Sequence, residues 1–113
     1  MTAELSAFRI DVVADTEPVL LRLFGELDAD SAALLAEVGE QVVSEGHRQL
    51  QLDCSEVTFC DSFGLRVMAA LRLKLQPDGS CTVVNASSQE MRVLRVTGLA
   101  ERFGIADSID GSP

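Results

Sequence analysis

The 113-residue sequence predicts a single α/β domain. Its length is that of one ordinary domain, large enough to bury a core. Apolar residues alternate with period two in some segments and recur every three or four residues in others. These patterns follow one another as strand, strand, helix, strand, helix, strand, helix. We therefore expect a mixed, mostly parallel sheet of about four to five strands, with an antiparallel hairpin at its N-terminal edge, and about three to four helices.

The N-terminal part predicts the hairpin. Phe8, Ile10 and Val12 alternate with charged residues, which is typical of a strand with one face inward. Residues 15–18 supply turn chemistry, and residues 19–24 form a second, more apolar strand. A loop of four residues is expected to close this strand: Gly25, Glu26, Leu27 and Asp28.

From about Ser31 the periodicity becomes helical. The apolar stripe of this helix consists of Leu34, Leu35, Val38 and Val42. Gly46 is expected to end the helix, and residues 50–54 alternate as a third strand that leads into residues 55–59. A strand, a helix and a strand in this order imply a right-handed crossover and parallel pairing.

A second helix is predicted from the pair Asp61 and Ser62 to a stop before Pro77. We expect Ser62 to cap this helix, and the backbone N–H groups of the first turn could also receive a phosphate. For Asp61, capping and turn formation are the structural alternatives. The apolar stripe of this helix is assigned to the core rather than to a cofactor or lipid pocket, and it consists of Leu65, Met68, Leu71 and Leu75.

The C-terminal part predicts a fourth strand at residues 81–84 and a third helix that ends near Thr97. Leu99, Phe103 and Ile105 are expected to pack on the sheet, and residues 107–113 form a polar tail. The whole chain, residues 1–113, is expected to be one domain with its core at about residues 8–108.

The charge and composition limit the kinds of partner. Eighteen acidic and nine basic residues give a net charge of −9, which opposes nucleic acid and anionic membrane surfaces. No apolar run approaches the ~20 residues of a membrane span, and the first residues lack a secretory pattern. We expect a cytoplasmic protein with no nucleic-acid partner and no membrane insertion. The charge favours a protein partner with a basic surface, or it serves only to keep a small protein soluble.

Catalytic and metal sites are not indicated. The sequence has one histidine, His47, and three cysteines whose spacing resembles no zinc site. The cysteines lie among apolar neighbours, which favours reduced thiols packed in the core. Ser62 has no histidine base and no Gly-x-Ser-x-Gly elbow around it. The sequence therefore predicts a protein that is not an enzyme and that needs no cofactor and no metal.

Four motifs, in this order and spacing, resemble the STAS domain family and, within it, the bacterial anti-sigma factor antagonists. They are Gly25-Glu26-Leu27-Asp28, Leu52-Asp53-Cys54-Ser55 with Val57 and Phe59, Asp61-Ser62-Phe63-Gly64-Leu65, and Val93-Leu94-Arg95-Val96-Thr97-Gly98-Leu99. The resemblance extends from about Phe8 to Ser108, so it covers nearly the whole chain.

The resemblance implies a partner-switching regulator. Such proteins bind an anti-sigma factor that is also a serine kinase, and thereby release a sigma factor. The kinase inactivates them by phosphorylating the serine that matches Ser62, a serine phosphatase resets it, and the matching Asp61 helps to position it. The implied partner surface consists of Gly25, Glu26, Leu27, Asp28, Asp61, Ser62, Phe63, Gly64 and Arg66.

Structural alternatives accompany these assignments. Ser62 could be a plain helix cap, Gly25 a tight turn and Asp28 a helix-start residue. Phe63 stands where relatives often have a small residue, which leaves open whether its ring packs inward or widens the partner contact. The alternative function is that of a non-switching STAS subunit of a lipid-transport ATPase or of a stress-signalling scaffold.

Overall fold

A computed structural model describes residues 1–15 and 17–85. Within these residues the chain forms five strands and two helices. In chain order they are β1 (Thr2–Leu5), β2 (Phe8–Val13), β3 (Val19–Leu27), α1 (Ala29–Ser44), β4 (Gln49–Cys60), α2 (Ser62–Leu75) and β5 (Ser80–Val84). The third helix and the later segments predicted from the sequence lie outside the described residues.

The strands form one mixed sheet in the order β1-β2-β3-β4-β5. The pairs β1–β2 and β2–β3 are antiparallel, whereas β3–β4 and β4–β5 are parallel. The predicted α/β fold with a mixed sheet of four to five strands is therefore confirmed. The prediction of a mostly parallel sheet is wrong for the described strands, because half of their pairings are antiparallel.

The predicted hairpin forms, but it is not the edge of the sheet. Strands β2 and β3 pair in antiparallel register, with Ile10 opposite Leu23, and β1 lies outside them. Three of the four residues of β1 are exposed and only Ala3 is half-buried. The strand has only four residues and almost no buried surface, and so short an alternation is too weak to predict a strand from the sequence.

Both helices pack against each other and on one face of the sheet. The alternating apolar residues of the strands point to this face, among them Ile10, Leu21 and Leu52, each fully buried. The predicted stripes of α1 and α2 also lie in the core, with Leu34 and Leu65 at its margin. The composition of the core thus agrees with the periodicity of apolar residues in the strands and helices. The ends of the strands form a separate surface.

Candidate functional site

The carboxyl ends of β3 and β4 lie side by side because the two strands are parallel. Leu27 pairs with Cys60 at the ends of these strands, and the backbone N–H of Asp61 donates to the Leu27 carbonyl at 3.1 Å. Each strand then continues directly into a helix, α1 after β3 and α2 after β4. Residues 25–28 and 61–66 therefore meet at one edge, which we call the strand-end surface.

Gly25 has a structural role at this surface. It belongs to β3 rather than to the predicted loop, and its φ of 110° lies in a region that favours glycine. A Cβ at this position would collide with the backbone carbonyl oxygen of Ala7, in the turn between β1 and β2. The register with β4 also shifts between Gly25 and Glu26, where β4 contains an extra residue. The prediction of a loop over residues 25–28 is therefore wrong, because the strand continues to Leu27.

Asp28 caps α1 through a capping box. Its carboxylate accepts from the backbone N–H of Ser31 at 3.2 Å, and the Ser31 hydroxyl accepts from the Asp28 N–H at 2.8 Å. The Ser31 hydroxyl also donates to the Glu26 carbonyl at 2.7 Å, which joins the helix to the end of β3. The hydrogen bonds from the backbone and side chain of Ser31 lower the pKa of Asp28. The helix accordingly starts at Ala29, earlier than the predicted start at Ser31.

Asp61, not Ser62, caps α2. The carboxylate of Asp61 accepts from the backbone N–H groups of Phe63 at 2.9 Å and Gly64 at 3.3 Å, and Asp61 has an extended backbone. Its own N–H donates to the Leu27 carbonyl of β3, so Asp61 is the single residue that joins the end of β4 to the start of α2. The prediction that Ser62 caps the helix is wrong, because Ser62 is the first helical residue. The first-turn N–H groups of Phe63 and Gly64 are also already occupied.

We expect Asp61→Ala to destabilise the protein by about 1 kcal/mol, the usual cost of losing a helix cap. Asp61→Asn should stay within a few tenths of a kcal/mol of the wild type, because asparagine caps helices about as well. Urea unfolding followed by circular dichroism measures both values. Ser62→Ala serves as the control and should leave stability unchanged. A larger loss for Ser62→Ala than for Asp61→Ala would contradict the assignment of the cap.

Two of the predicted partner-binding residues are buried. Leu27 is fully buried, and a Cβ added to Gly64 would lie 2.7 Å from the Leu27 Cγ and 2.9 Å from the Cys60 Sγ. The missing side chain of Gly64 thus lets the first turn of α2 lie directly against the end of β3. Leu27 and Gly64 support the surface from below, whereas Glu26, Ser62 and Arg66 are exposed on it.

Two half-exposed phenylalanines flank Ser62 in the sequence. Phe63 is 49% exposed and Phe59, near the end of β4, is 50% exposed. The guanidinium carbon of Arg66 lies 5.7 Å from the centre of the Phe63 ring. Phe63 therefore does not pack into the core. The sequence does not predict the exposure of Phe59, because an aromatic residue in an apolar strand is usually buried. Nothing in its spacing marks the register shift in β4 just before it.

The acidic side of the surface is a shallow groove between the β1–β2 turn and the start of α1. Its lining combines apolar and acidic side chains, among them Leu5, Ala7, Phe8, Glu26, Asp28 and Asp30. Among residues 1–15 and 17–85, no basic residue lines this groove. A partner segment with basic side chains would match this charge.

The motif Leu52-Asp53-Cys54-Ser55 has a structural role through Asp53. Its carboxylate accepts from the Ser55 N–H at 2.9 Å and from the Asn85 amide at 3.2 Å, and it pairs with Arg22 at 3.9 Å. Burial raises the pKa of Asp53, but these hydrogen bonds and the ion pair outweigh it and leave the pKa lowered. Asp53 thus fixes the strand just where β4 departs from regular register with β3. The motif serves the shape of the sheet next to the site.

The cysteines and the acidic residues form no site of their own in the described part of the chain. Cys54, Cys60 and Cys81 are joined by no disulfide, and burial raises the pKa of the Cys81 thiol to about 12, with the positive charge of Arg72 opposing the shift. Residues 1–15 and 17–85 contain no group of three or more histidine, cysteine or acidic side chains that could hold a metal ion. No helix in these same ranges is long and apolar enough to cross a membrane.

Comparisons with known proteins relate the chain to one family. The family described as "Mlab, STAS domain" matches residues 10–106. The anti-sigma-F factor antagonist RsfB of Mycobacterium tuberculosis is 33% identical over 98 residues, which cover 86% of this chain and 80% of RsfB.

Solved structures agree with this relation. The crystal structure of an anti-sigma factor antagonist from Mycobacterium paratuberculosis has a TM-score of 0.76 at 28% identity and covers 88% of this chain and 86% of its own. The Bacillus cell fate determinant SpoIIAA in its phosphorylated form shares the fold, with a TM-score of 0.68 at 20% identity and coverage of 89% and 88%.

Proposed function

Since the chain belongs to the STAS domain family and its relatives include anti-sigma factor antagonists, we propose that it binds an anti-sigma factor through the strand-end surface and is switched off by phosphorylation of Ser62. In the unmodified form it occupies the anti-sigma factor, which also acts as the serine kinase, and a sigma factor is released. A serine phosphatase restores the active form. The protein acts in this scheme as substrate and regulator, not as a catalyst.

The position of Ser62 carries the proposal. Ser62 is exposed at the first position of α2, and the capping function that would otherwise explain a serine here belongs to Asp61. The fold therefore does not require the Ser62 hydroxyl. An exposed hydroxyl next to a half-exposed aromatic ring is accessible both to a kinase and to a partner surface.

The switch follows from charge and burial. Phosphorylation adds about −1.5 to −2 charges, directly after the carboxylate of Asp61. In the free protein this charge stays in water. In the complex it would lose its hydration, at an effective cost of several kcal/mol for a buried ion. A loss of about 2.8 kcal/mol already weakens binding roughly a hundredfold, so no change of fold is needed.

The modification is tested by incubating the chain with its cognate anti-sigma factor kinase and ATP. Intact mass and phosphosite mapping should show one phosphate, on Ser62. Ser62→Ala should remain unmodified while still binding the kinase. The remaining exposed serines of the described part, such as Ser55 and Ser80, serve as internal controls. A wild-type chain that binds the kinase but acquires no phosphate at Ser62 would overturn the switch.

A second candidate function is supported by the description of the matching family, which names Mlab rather than an anti-sigma factor antagonist. In this alternative the chain is a constitutive STAS subunit of a lipid-transport ATPase or of a stress-signalling scaffold, and it uses the same surface without modification. The two candidates differ in the kinase assay, since only the first requires phosphate on Ser62. They differ also in the genes found next to that of this chain, a kinase and a sigma factor or a transporter ATPase.

A further inference from the structure

Arg66 lies one helical turn after Ser62 on the exposed side of α2. Residues four apart on a helix are neighbours, with about 5–6 Å between their Cβ atoms. Within the described part of the chain, the guanidinium carbon of Arg66 contacts one aromatic ring, that of Phe63, at 5.7 Å from the ring centre. This distance is close to the outer limit of about 6 Å for a cation–π contact. Arg66 is therefore weakly held and within reach of a group on Ser62.

The helix start offers little to a phosphate on Ser62. The carboxylate of Asp61 already accepts from the N–H groups of Phe63 and Gly64, at 2.9 and 3.3 Å. Its negative charge also repels a phosphate on the next residue. A phosphoserine at this position needs a cation instead. The first turn of α2 contains no acidic residue that could compete for Arg66.

We propose that Arg66 binds a phosphate on Ser62. To reach the phosphate, the guanidinium group of Arg66 moves away from the ring of Phe63. The proposal rests on the proposed function, because it requires that Ser62 is modified, and it adds the residue that receives the phosphate. An arginine–phosphate pair is charge-assisted and can be bidentate, so it outcompetes a cation–π contact near its distance limit. Phosphorylation then changes the strand-end surface at Ser62 and also at Phe63, whose ring face loses its cation.

The test uses the full chain with phosphoserine introduced at position 62 during translation, so that no kinase is involved. A phosphorus-31 NMR titration at 0.1 M salt measures the pKa of the second ionisation of the phosphate, ordinarily about 6. A nearby cation favours the doubly charged form. We expect this pKa to be about 0.3 units lower with Arg66 present than in Arg66→Gln, and Arg66→Lys to restore part of the difference. The ring resonances of Phe63 should shift more on phosphorylation in the wild type than in Arg66→Gln, because only the wild type also loses the cation from the ring face.

Lys74→Gln is the matched control. It removes an equal charge from the same helix, where Lys74 pairs with Glu40 at 3.8 Å. Lys74 is about 18 Å from Ser62 along the helix axis, beyond the screening length of about 10 Å at this salt concentration, so the phosphate pKa should not change. If Arg66→Gln leaves the phosphate pKa as unchanged as Lys74→Gln does, the proposal is wrong. That outcome would leave the result of the kinase assay unaffected, because the titration uses phosphoserine introduced without a kinase. For the same reason, a failed kinase assay would not change the measured phosphate pKa.

Discussion

Ser62→Asp is expected to weaken binding of the anti-sigma factor by about 10- to 100-fold, and phosphoserine at this position by at least about a hundredfold. The aspartate carries one negative charge and the phosphate up to about two, and either charge must be desolvated beside Asp61 in the complex. Ser62→Ala adds no charge and should bind within about threefold of the wild type. Isothermal titration calorimetry with the purified partner measures all three.

Ser80→Asp is the control for net charge in this experiment. Ser80 is exposed and begins β5, so it lies at the opposite edge of the sheet from the carboxyl ends of β3 and β4. Its substitution should leave affinity unchanged. The stability of Ser62→Asp should stay close to that of the wild type, because the gain of about 0.3–1 kcal/mol from a negative charge in the first turn of a helix is opposed by repulsion from the carboxylate of Asp61. Equal affinity of Ser62→Asp and Ser62→Ala would exclude a charge-based switch at this residue.

Gly25→Ala is expected to destabilise the protein by about 3 kcal/mol. A side chain at the observed φ of 110° costs about 1–2 kcal/mol. The added Cβ also meets the backbone carbonyl of Ala7, which cannot move aside as a side chain could, and such overpacking typically costs about 1–3 kcal/mol. Urea unfolding with an unchanged m-value would measure the difference. Against a total stability of about 5–15 kcal/mol for a small domain this is a large fraction.

Gly46→Ala separates the two causes. Gly46 has a similar φ of 101°, but a Cβ there would meet nothing within 4 Å. It should cost only the conformational part, about 1–2 kcal/mol. If Gly25→Ala is no worse than Gly46→Ala, the contact between β3 and the β1–β2 turn does not limit the position. Gly25 would then be open to a role in partner contact alone.

Elements with one buried face could be predicted from the sequence. The alternation of Phe8, Ile10 and Val12 and the stripes of α1 and α2 correspond to side chains that are now seen in the core. The proximity of residues 25–28 and 61–66 follows from parallel pairing, since the strand–helix–strand order brings the carboxyl ends of neighbouring strands together. These features depend on periodicity and topology, which a sequence displays.

Features that depend on a single contact could not be predicted in this way. Asp61 and Ser62 are both good capping residues, and the hydrogen bond from the Asp61 N–H to the Leu27 carbonyl favours Asp61 as the helix cap. The carbonyl of Ala7, a residue distant in sequence, leaves no room for a side chain at Gly25. Strand β1 has almost no buried side chains to reveal it. Each of these depends on a partner outside the local pattern.

The division of roles between Asp61 and Ser62 makes position 62 useful as a reporter. Because the cap and the last strand hydrogen bond belong to Asp61, a fluorescent amino acid at position 62 should leave folding intact while its emission responds to a bound partner. Random substitution at this codon should likewise yield variants that differ in recognition but unfold alike. Position 62 can therefore be varied in evolution or in the laboratory with little thermodynamic constraint, whereas position 61 cannot.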